Sequence, residues 1–260
     1  MTKVYDLNGN VKKEMKLPKV FSVAYRPDVI NRAILSIQSM KRQPYGANPL
    51  AGKRTSAHYH GRRKYRFTMM NKEMARISRI HGKVGYLNLR ARFVPQAVKG
   101  RKAHPPKAER VWTQRINEKE KRLAIKSALA ASTNQELVKE RHNVDEAPLI
   151  FTNDFEDMKK TKEVKTLLDK IIYQEMKRCE KKKVRAGKGK NRGRKYKKKI
   201  GPLIIVSKDC NLLKSARSIA GIDVAKFDGL DAELLAPGCL ARLTIMTESA
   251  IEKLNEKFGE

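Results

Sequence analysis

Residues 187–199 read GKGKNRGRKYKKK and run directly into the apolar IGPLIIV. Glycines among cations beside a strand-like run are the residue types that cradle phosphate, so nucleotide binding is the first chemistry to weigh. A dinucleotide fingerprint is GxGxxG placed between a strand and the helix after it. Gly187, Gly189 and Gly193 give GxGxxxG instead, and the segment precedes its strand. The P-loop pattern GxxxxGK[S/T] does not occur in the sequence. This tract presents cations without the loop that would hold one small phosphate ester.

Histidine and cysteine chemistry is sparse. His58 and His60 form HxH, but the next acid is Glu73 and the surrounding residues are strongly cationic. A divalent ion is repelled by such a field, so no metal is expected there. His81, His104 and His142 stand apart in sequence and read as RNA contacts or packing residues. The three cysteines, Cys179, Cys210 and Cys239, are odd in number and about thirty residues apart. That pattern suits free thiols in a reducing compartment rather than a disulfide framework. No GxSxG elbow is present, and no cysteine lies close in sequence to a histidine. The expectation is no catalytic residue, no cofactor and no small-molecule substrate.

The net charge of +32 points to a polyanionic partner, and its distribution is sharper than its size. Residues 41–115 hold 20 Lys/Arg against Glu73 and Glu109, for +18. Residues 177–199 hold 14 against Glu180, for +13. The other 162 residues carry 25 bases and 24 acids. A balanced body therefore carries two cationic insertions.

That body must position them, and its pattern is α/β. KVYDLNG predicts a short strand ending at an Asn8-Gly9 turn. Pro27 opens a helical pattern with Val29, Ile30, Ala33, Ile34 and Ile37 on one face. INEKEKRLAIKSALAAS (116–132) is rich in strong helix formers. APLIFT (147–152) reads as a buried strand, followed by a helix over about 161–178 with Val164, Leu167, Leu168, Ile171 and Ile172 inward. GPLIIVS (201–207) is the next strand, and DCNLLKSARSI reads as a helix with Asp209 as N-cap. VAKFD and CLARLTIMT (239–247) complete the strands, with ESAIEKLNEKF helical behind them. Alternation of this kind predicts one α/β domain over 1–260, with a mostly parallel sheet covered by helices on both faces.

The insertion at 43–110 lacks a persistent apolar face and is punctuated by Gly and Pro. A connection of that length is either disordered or held by a partner that neutralises it. Its few acids and spaced aromatics, Tyr59, Tyr65, Phe67, Tyr86 and Phe93, favour an extended RNA-binding arm without its own core. The tract 177–199 is a second RNA-binding segment within the globular part. MTKVYDLNGN lacks the apolar stretch of a secretory signal, and apolar runs such as LIIV are strand-sized, so a soluble, cytoplasmic chain is expected.

Long stretches also carry a family resemblance. RQPYGANPLAGKRTSA (42–57), RARFVPQAVKGRKAHPPKAE (90–109), NEKEKRLAIKSALAAST (117–133) and AGKGKNRGRKYKKKIGPLIIV (186–206) resemble the archaeal and eukaryotic branch of large-subunit ribosomal protein four. The resemblance implies a structural, non-enzymatic component of the large ribosomal subunit. Its partners would be large-subunit ribosomal RNA, neighbouring ribosomal proteins and, near the arm tip, the nascent polypeptide in the exit tunnel.

On that reading the arm's RNA contacts begin with Arg42, Lys53 and Arg54, followed by Arg62, Arg63, Lys64 and Arg66. Arg90, Arg92, Lys99, Arg101, Lys102, His104 and Lys107 return along it. Lys188, Lys190, Arg192, Arg194, Lys195, Lys197 and Lys198 grip a second RNA surface. Arg76, Ile77, Ser78 and Arg79 are assigned to the tunnel tip, although the tip here is bulkier and less glycine-rich than the family's pattern. The alternative is an RNA-modifying enzyme on an α/β sheet with basic docking arms. It would need a cofactor loop at NDFEDMKK or SKDCNL, and neither is Gly-rich. A DNA-compacting protein is disfavoured because the arm lacks a recognisable DNA-docking element.

Overall fold

The computed structural model describes residues 2–64, 67–81 and 85–259. Arg66, assigned as an RNA contact of the arm, and Tyr65, one of its spaced aromatics, lie outside the described residues. Among the described residues the strands are β1 (Thr2–Tyr5), β2 (Val11–Met15), β3 (His58–Tyr59), β4 (Ser78–Arg79), β5 (Leu149–Phe151), β6 (Lys183–Val184), β7 (Tyr196–Lys197), β8 (Leu203–Val206), β9 (Asp223–Lys226) and β10 (Thr244–Thr247). The helices are α1 (Pro27–Lys41), α2 (Glu118–Thr133), α3 (Gln135–Lys139), α4 (Thr161–Glu180), α5 (Leu212–Ser215), α6 (Ala232–Leu235) and α7 (Glu248–Phe258).

The chain divides into two units, Met1–Met40 with Thr113–Glu260, and Lys41–Trp112. In the first, six strands form one sheet in the order β2-β1-β5-β10-β8-β9. Every pairing is parallel except β1 with β2. The period-2 alternation of strand side chains builds a core on each face. Val4, Ile150, Met246 and Ile205 point to one face, against Ile30 and Ile34 of α1, Leu129 of α2 and Leu254 of α7. Phe151, Ile245, Ile204 and Val206 point to the other, against Leu168 and Met176 of α4. The apolar stripes read along the sequence are these two contact faces, so the expected covered parallel sheet is found.

Differences from the sequence reading have local causes. VKKEM forms β2 despite its charges because it is an edge strand with an almost fully exposed pattern, where lysines are tolerated. Asp209 caps no helix: α5 starts at Leu212 after Asn211, and the Asp209 carboxylate accepts from Lys226 Nζ at 3.0 Å. The helix read over DCNLLKSARSI shrinks to the four residues of α5. The last strand begins only at Thr244, because Gly238 and Cys239 both adopt positive φ in a turn. Arg242, in that lead-in, is buried to 1% exposure. Its guanidinium donates to the carbonyls of Gly201, Pro202 and Leu234 and to Asp223 Oδ2. A buried cation thus ties the entrances of β8 and β9 together.

Candidate nucleic-acid interface

The unit Lys41–Trp112 carries Met69 as its one buried apolar side chain among the described residues. Its order comes instead from two antiparallel runs of backbone lying close together. Ala47 N–H donates to the Pro106 carbonyl at 2.8 Å. A Cβ on Gly46 would meet Ala108 N at 2.5 Å, and one on Gly52 would meet Arg101 Cα at 2.6 Å. Gly52 also has φ +74°, a conformation glycine adopts without strain. These glycines are where the runs pass too closely for a side chain. At the start and end of the unit, Tyr45 and Trp112 pack with centroids 4.7 Å apart, and the Arg42 guanidinium lies 4.8 Å from the Trp112 ring and 5.4 Å from Tyr45.

The paired backbones leave the cations outside. The exposed Lys53, Lys99, Lys102 and Lys107, with the half-buried Arg101, surround a cleft of about 400 Å³. Arg42, Arg54, Arg62, Arg63, Lys64, Arg90 and His104 are exposed as well. Arg92 is half-buried, with its guanidinium donating to the Val98 carbonyl at 2.5 Å, so part of its donor capacity is used internally. Guanidinium and ammonium groups displayed this way can neutralise phosphates and fork onto their oxygens.

Farther along, β3 pairs antiparallel with β4, His58 opposite Arg79 and Tyr59 opposite Ser78. Among the residues read as a tip, Arg76 is exposed and Ile77 and Ser78 are half-buried. Arg79 departs from that reading. It is 8% exposed, and its guanidinium donates to the carbonyls of Ala75 and Leu89. A side chain so engaged staples the local turns and is largely withdrawn from the surface. His81 is also not isolated: its ring sits against His58 and His60. Pairing of distant strands created that cluster, and spacing alone could not reveal it.

The tract 177–199 is structured too. Lys177 and Arg178 belong to α4, and Arg178 is not a free cation: it donates to both Glu175 oxygens and to the Ile200 carbonyl. Burial alone would push the Glu175 carboxyl up, but the bonds from Arg178 and His142 outweigh it and hold the group at about 2. His142 is pushed down, first by its own burial, and donates Nδ1–H to Glu175 as a neutral ring. Beyond α4, β6 and β7 form a hairpin, with Lys183 opposite Lys197 and Val184 opposite Tyr196. Gly187 (φ +76°) and Gly193 (φ +79°) bracket its turn. Lys188, Lys190, Arg192, Arg194, Lys195, Lys197 and Lys198 are all exposed on it. The glycines that suggest a phosphate loop serve to turn a cationic β-ribbon.

The place where an α/β sheet binds a cofactor is the crevice beyond the carboxyl ends of its strands. Here Glu156, from the segment after β5, fills it at 2% exposure. Its oxygens accept from Ser207 N–H and Oγ–H, each at 2.8 Å, and from Thr247 Oγ–H at 2.6 Å. Ser207 and Thr247 lie at the ends of β8 and β10, so one buried carboxylate closes three neighbouring strands.

A plugged α/β body with two cationic, glycine-turned projections defines a polyanion-binding protein rather than a cofactor enzyme. The model of the ribosomal protein L4/L1 family matches residues 15–257. Similar proteins include the large ribosomal subunit protein uL4 of Methanocaldococcus jannaschii, 47% identical over 98% of both chains. Those of Archaeoglobus fulgidus (45%, 98% of both) and Methanosphaera stadtmanae (44%, 98% of this chain and 96% of the relative) are comparable. The chain belongs to the ribosomal protein L4/L1 family.

Proposed function

We propose that this chain is a structural, non-enzymatic component of the large ribosomal subunit in the cytoplasm, where it binds ribosomal RNA and supports assembly. The observation that carries the reading is the placement of charge. The excess sits on the arm and on the β6–β7 hairpin, exposed, while the remaining sequence is neutral. The family relatives, named as large ribosomal subunit proteins, make ribosomal RNA the polyanion. The crevice an RNA-modifying enzyme would use is closed by Glu156, and among the described residues no helix is long and apolar enough to cross a membrane.

On this reading the arm, 43–110, enters the folded RNA and neighbours other ribosomal proteins. Its far end contributes to the exit-tunnel wall beside the nascent chain, with Arg76, Ile77 and Ser78 as the surface contributed and Arg79 as its internal staple. Arm and hairpin cations are the RNA contacts, with Arg66 among them.

The test is co-sedimentation of the full chain with large subunits after a high-salt wash, paired with affinity for folded ribosomal RNA against duplex DNA at moderate salt. Retention in the pellet and preference for the RNA are expected. Release by the wash, or equal affinity for the duplex, overturns the reading.

A further inference from the structure

His58 and His60 on and beside β3, and His81 just beyond β4, bring three imidazoles together with their potential ligand nitrogens within 4.8 Å of one another. His58 Nε2 lies 2.7 Å from His81 Nε2. The other nitrogen of His58, Nδ1, lies 3.2 Å from the Ser56 carbonyl, and a ring donating there presents the Nε2 lone pair to a ligand. His60 is arranged the same way. Its ring bonds the Arg79 backbone, while its Nε2 is buried and has no hydrogen-bond partner. The residue is 3% exposed.

We propose that His58, His60 and His81 form a transition-metal site, fitted to Zn2+, that clasps the two strands of the arm. The imidazoles are oriented for ligation, since two have the outer nitrogen held by a backbone carbonyl, the arrangement that fixes a ligating histidine. One N–H···N bond between His58 and His81 can satisfy those two rings without a metal. It leaves His60 Nε2 buried and unpaired, with its desolvation uncompensated. A single ion satisfies all three nitrogens. Zn–N bonds of about 2.0–2.1 Å put tetrahedral ligands roughly 3.3 Å apart. Small rotations of the exposed His58 ring and the half-buried His81 ring open the 2.7 Å approach to that distance.

The cationic sequence that argues against a metal is the effect that ligation by three imidazoles must outweigh. Burial first, then the neighbouring His58 and His81 rings, shifts His60 below its ordinary value. The guanidinium of Arg79 is held by the Ala75 and Leu89 carbonyls, and its charge remains part of that opposing field. Phe67 stacks on His81 with centroids 4.9 Å apart and holds that ring in place.

The experiment is titration of the full, untagged, chelator-treated chain with Co2+ and then Zn2+. One equivalent of Co2+ is expected to give the visible absorption of a tetrahedral site, bleached by one equivalent of Zn2+. Losing even an outer-shell partner weakens metal sites by about 10–100-fold, so His58→Ala with His81→Ala is expected to weaken binding about 100-fold or more. His104→Ala serves as the control and leaves binding unchanged. Zn2+ should also slow amide exchange over 58–81 in the unsubstituted chain. Because His58 is exposed, His58→Ala alone tests the site without disturbing the fold, and far-UV circular dichroism checks this. Absence of stoichiometric Co2+ uptake overturns the proposal, and so does uptake indifferent to His58 and His81.

Discussion

Glu156 accepts both the backbone N–H and the hydroxyl of Ser207, each at 2.8 Å, across the carboxyl ends of β5 and β8. In a doubly wound sheet that gap is where phosphate or nucleotide normally sits. Here a side chain of the protein supplies the negative charge itself. The crevice is thereby closed by the protein's own hydrogen bonds to β8 and β10.

Glu156→Ala should accordingly destabilise the body. It leaves the Ser207 N–H and the Thr247 hydroxyl buried without their acceptor, at about 1–3 kcal/mol for an unsatisfied group. Urea denaturation of the full chain should register a drop of about 3 kcal/mol, with Glu156→Gln losing less. An unchanged midpoint would mean that the crevice is not held by this carboxylate.

The Glu175–His142–Arg178 cluster sets a direction for pH dependence. Both titrating groups are depressed, His142 below its ordinary 6.5 and Glu175 from 4.5 to about 2. The unfolded chain therefore binds more protons, and the stability from these groups is fully present above about pH 6.5. It falls first as His142 must charge, then again below pH 4.5 as pH approaches 2. Arg178→Met, which strands the buried carboxylate, should cost about 3–5 kcal/mol at pH 7 and flatten the acidic limb. Chemical denaturation across pH 3–8 measures both.

RNA affinity should fall steeply with salt, because each neutralised phosphate releases counter-ions. Replacing Lys188, Lys190 and Arg192 by Gln should reduce the slope of log K against log salt by about 0.7–0.9 for each phosphate no longer neutralised. The body's thermal stability should not change, since these side chains are exposed. A slope identical to that of the unsubstituted chain would remove the hairpin from the interface.

Trp112 is the protein's single tryptophan and lies under Arg42. Arg42→Ala should weaken this packing by about 0.5–1 kcal/mol, seen as greater acrylamide quenching of Trp112 fluorescence. RNA affinity should drop as well, on the proposed reading of Arg42 as an RNA contact. Quenching that is insensitive to the substitution would contradict the packing.

Much of the body was legible in the chain. Val29, Ile30, Ala33 and Ile34 recur at helical spacing, and LIIV bounded by Gly-Pro and Ser reads as a buried strand, because periodicity directly reports burial on one face or both. Edge strand β2 was not legible, since an exposed strand of lysines and glutamate carries no apolar alternation. The missing Asp209 cap shows the same limit, because a nearby Lys226 outcompeted a local backbone bond. The cation content of the arm and hairpin was visible as composition, but not which cations are free. Arg79 and Arg178 look like their neighbours in sequence, yet both are spent on internal acceptors.

By itself the sequence determined the α/β class, the neutral body and the two cationic insertions, because composition and periodicity are local properties. Only the tertiary structure decided that GKGKNRGRKYKKK is a short 3-10 helix and turn closing the β6–β7 hairpin, that Glu156 closes the crevice, and that His81 meets His58 and His60. Each of these depends on groups distant in the chain, or on opposite strands, being brought within bonding distance. Chain order does not encode that proximity; pairing and packing do.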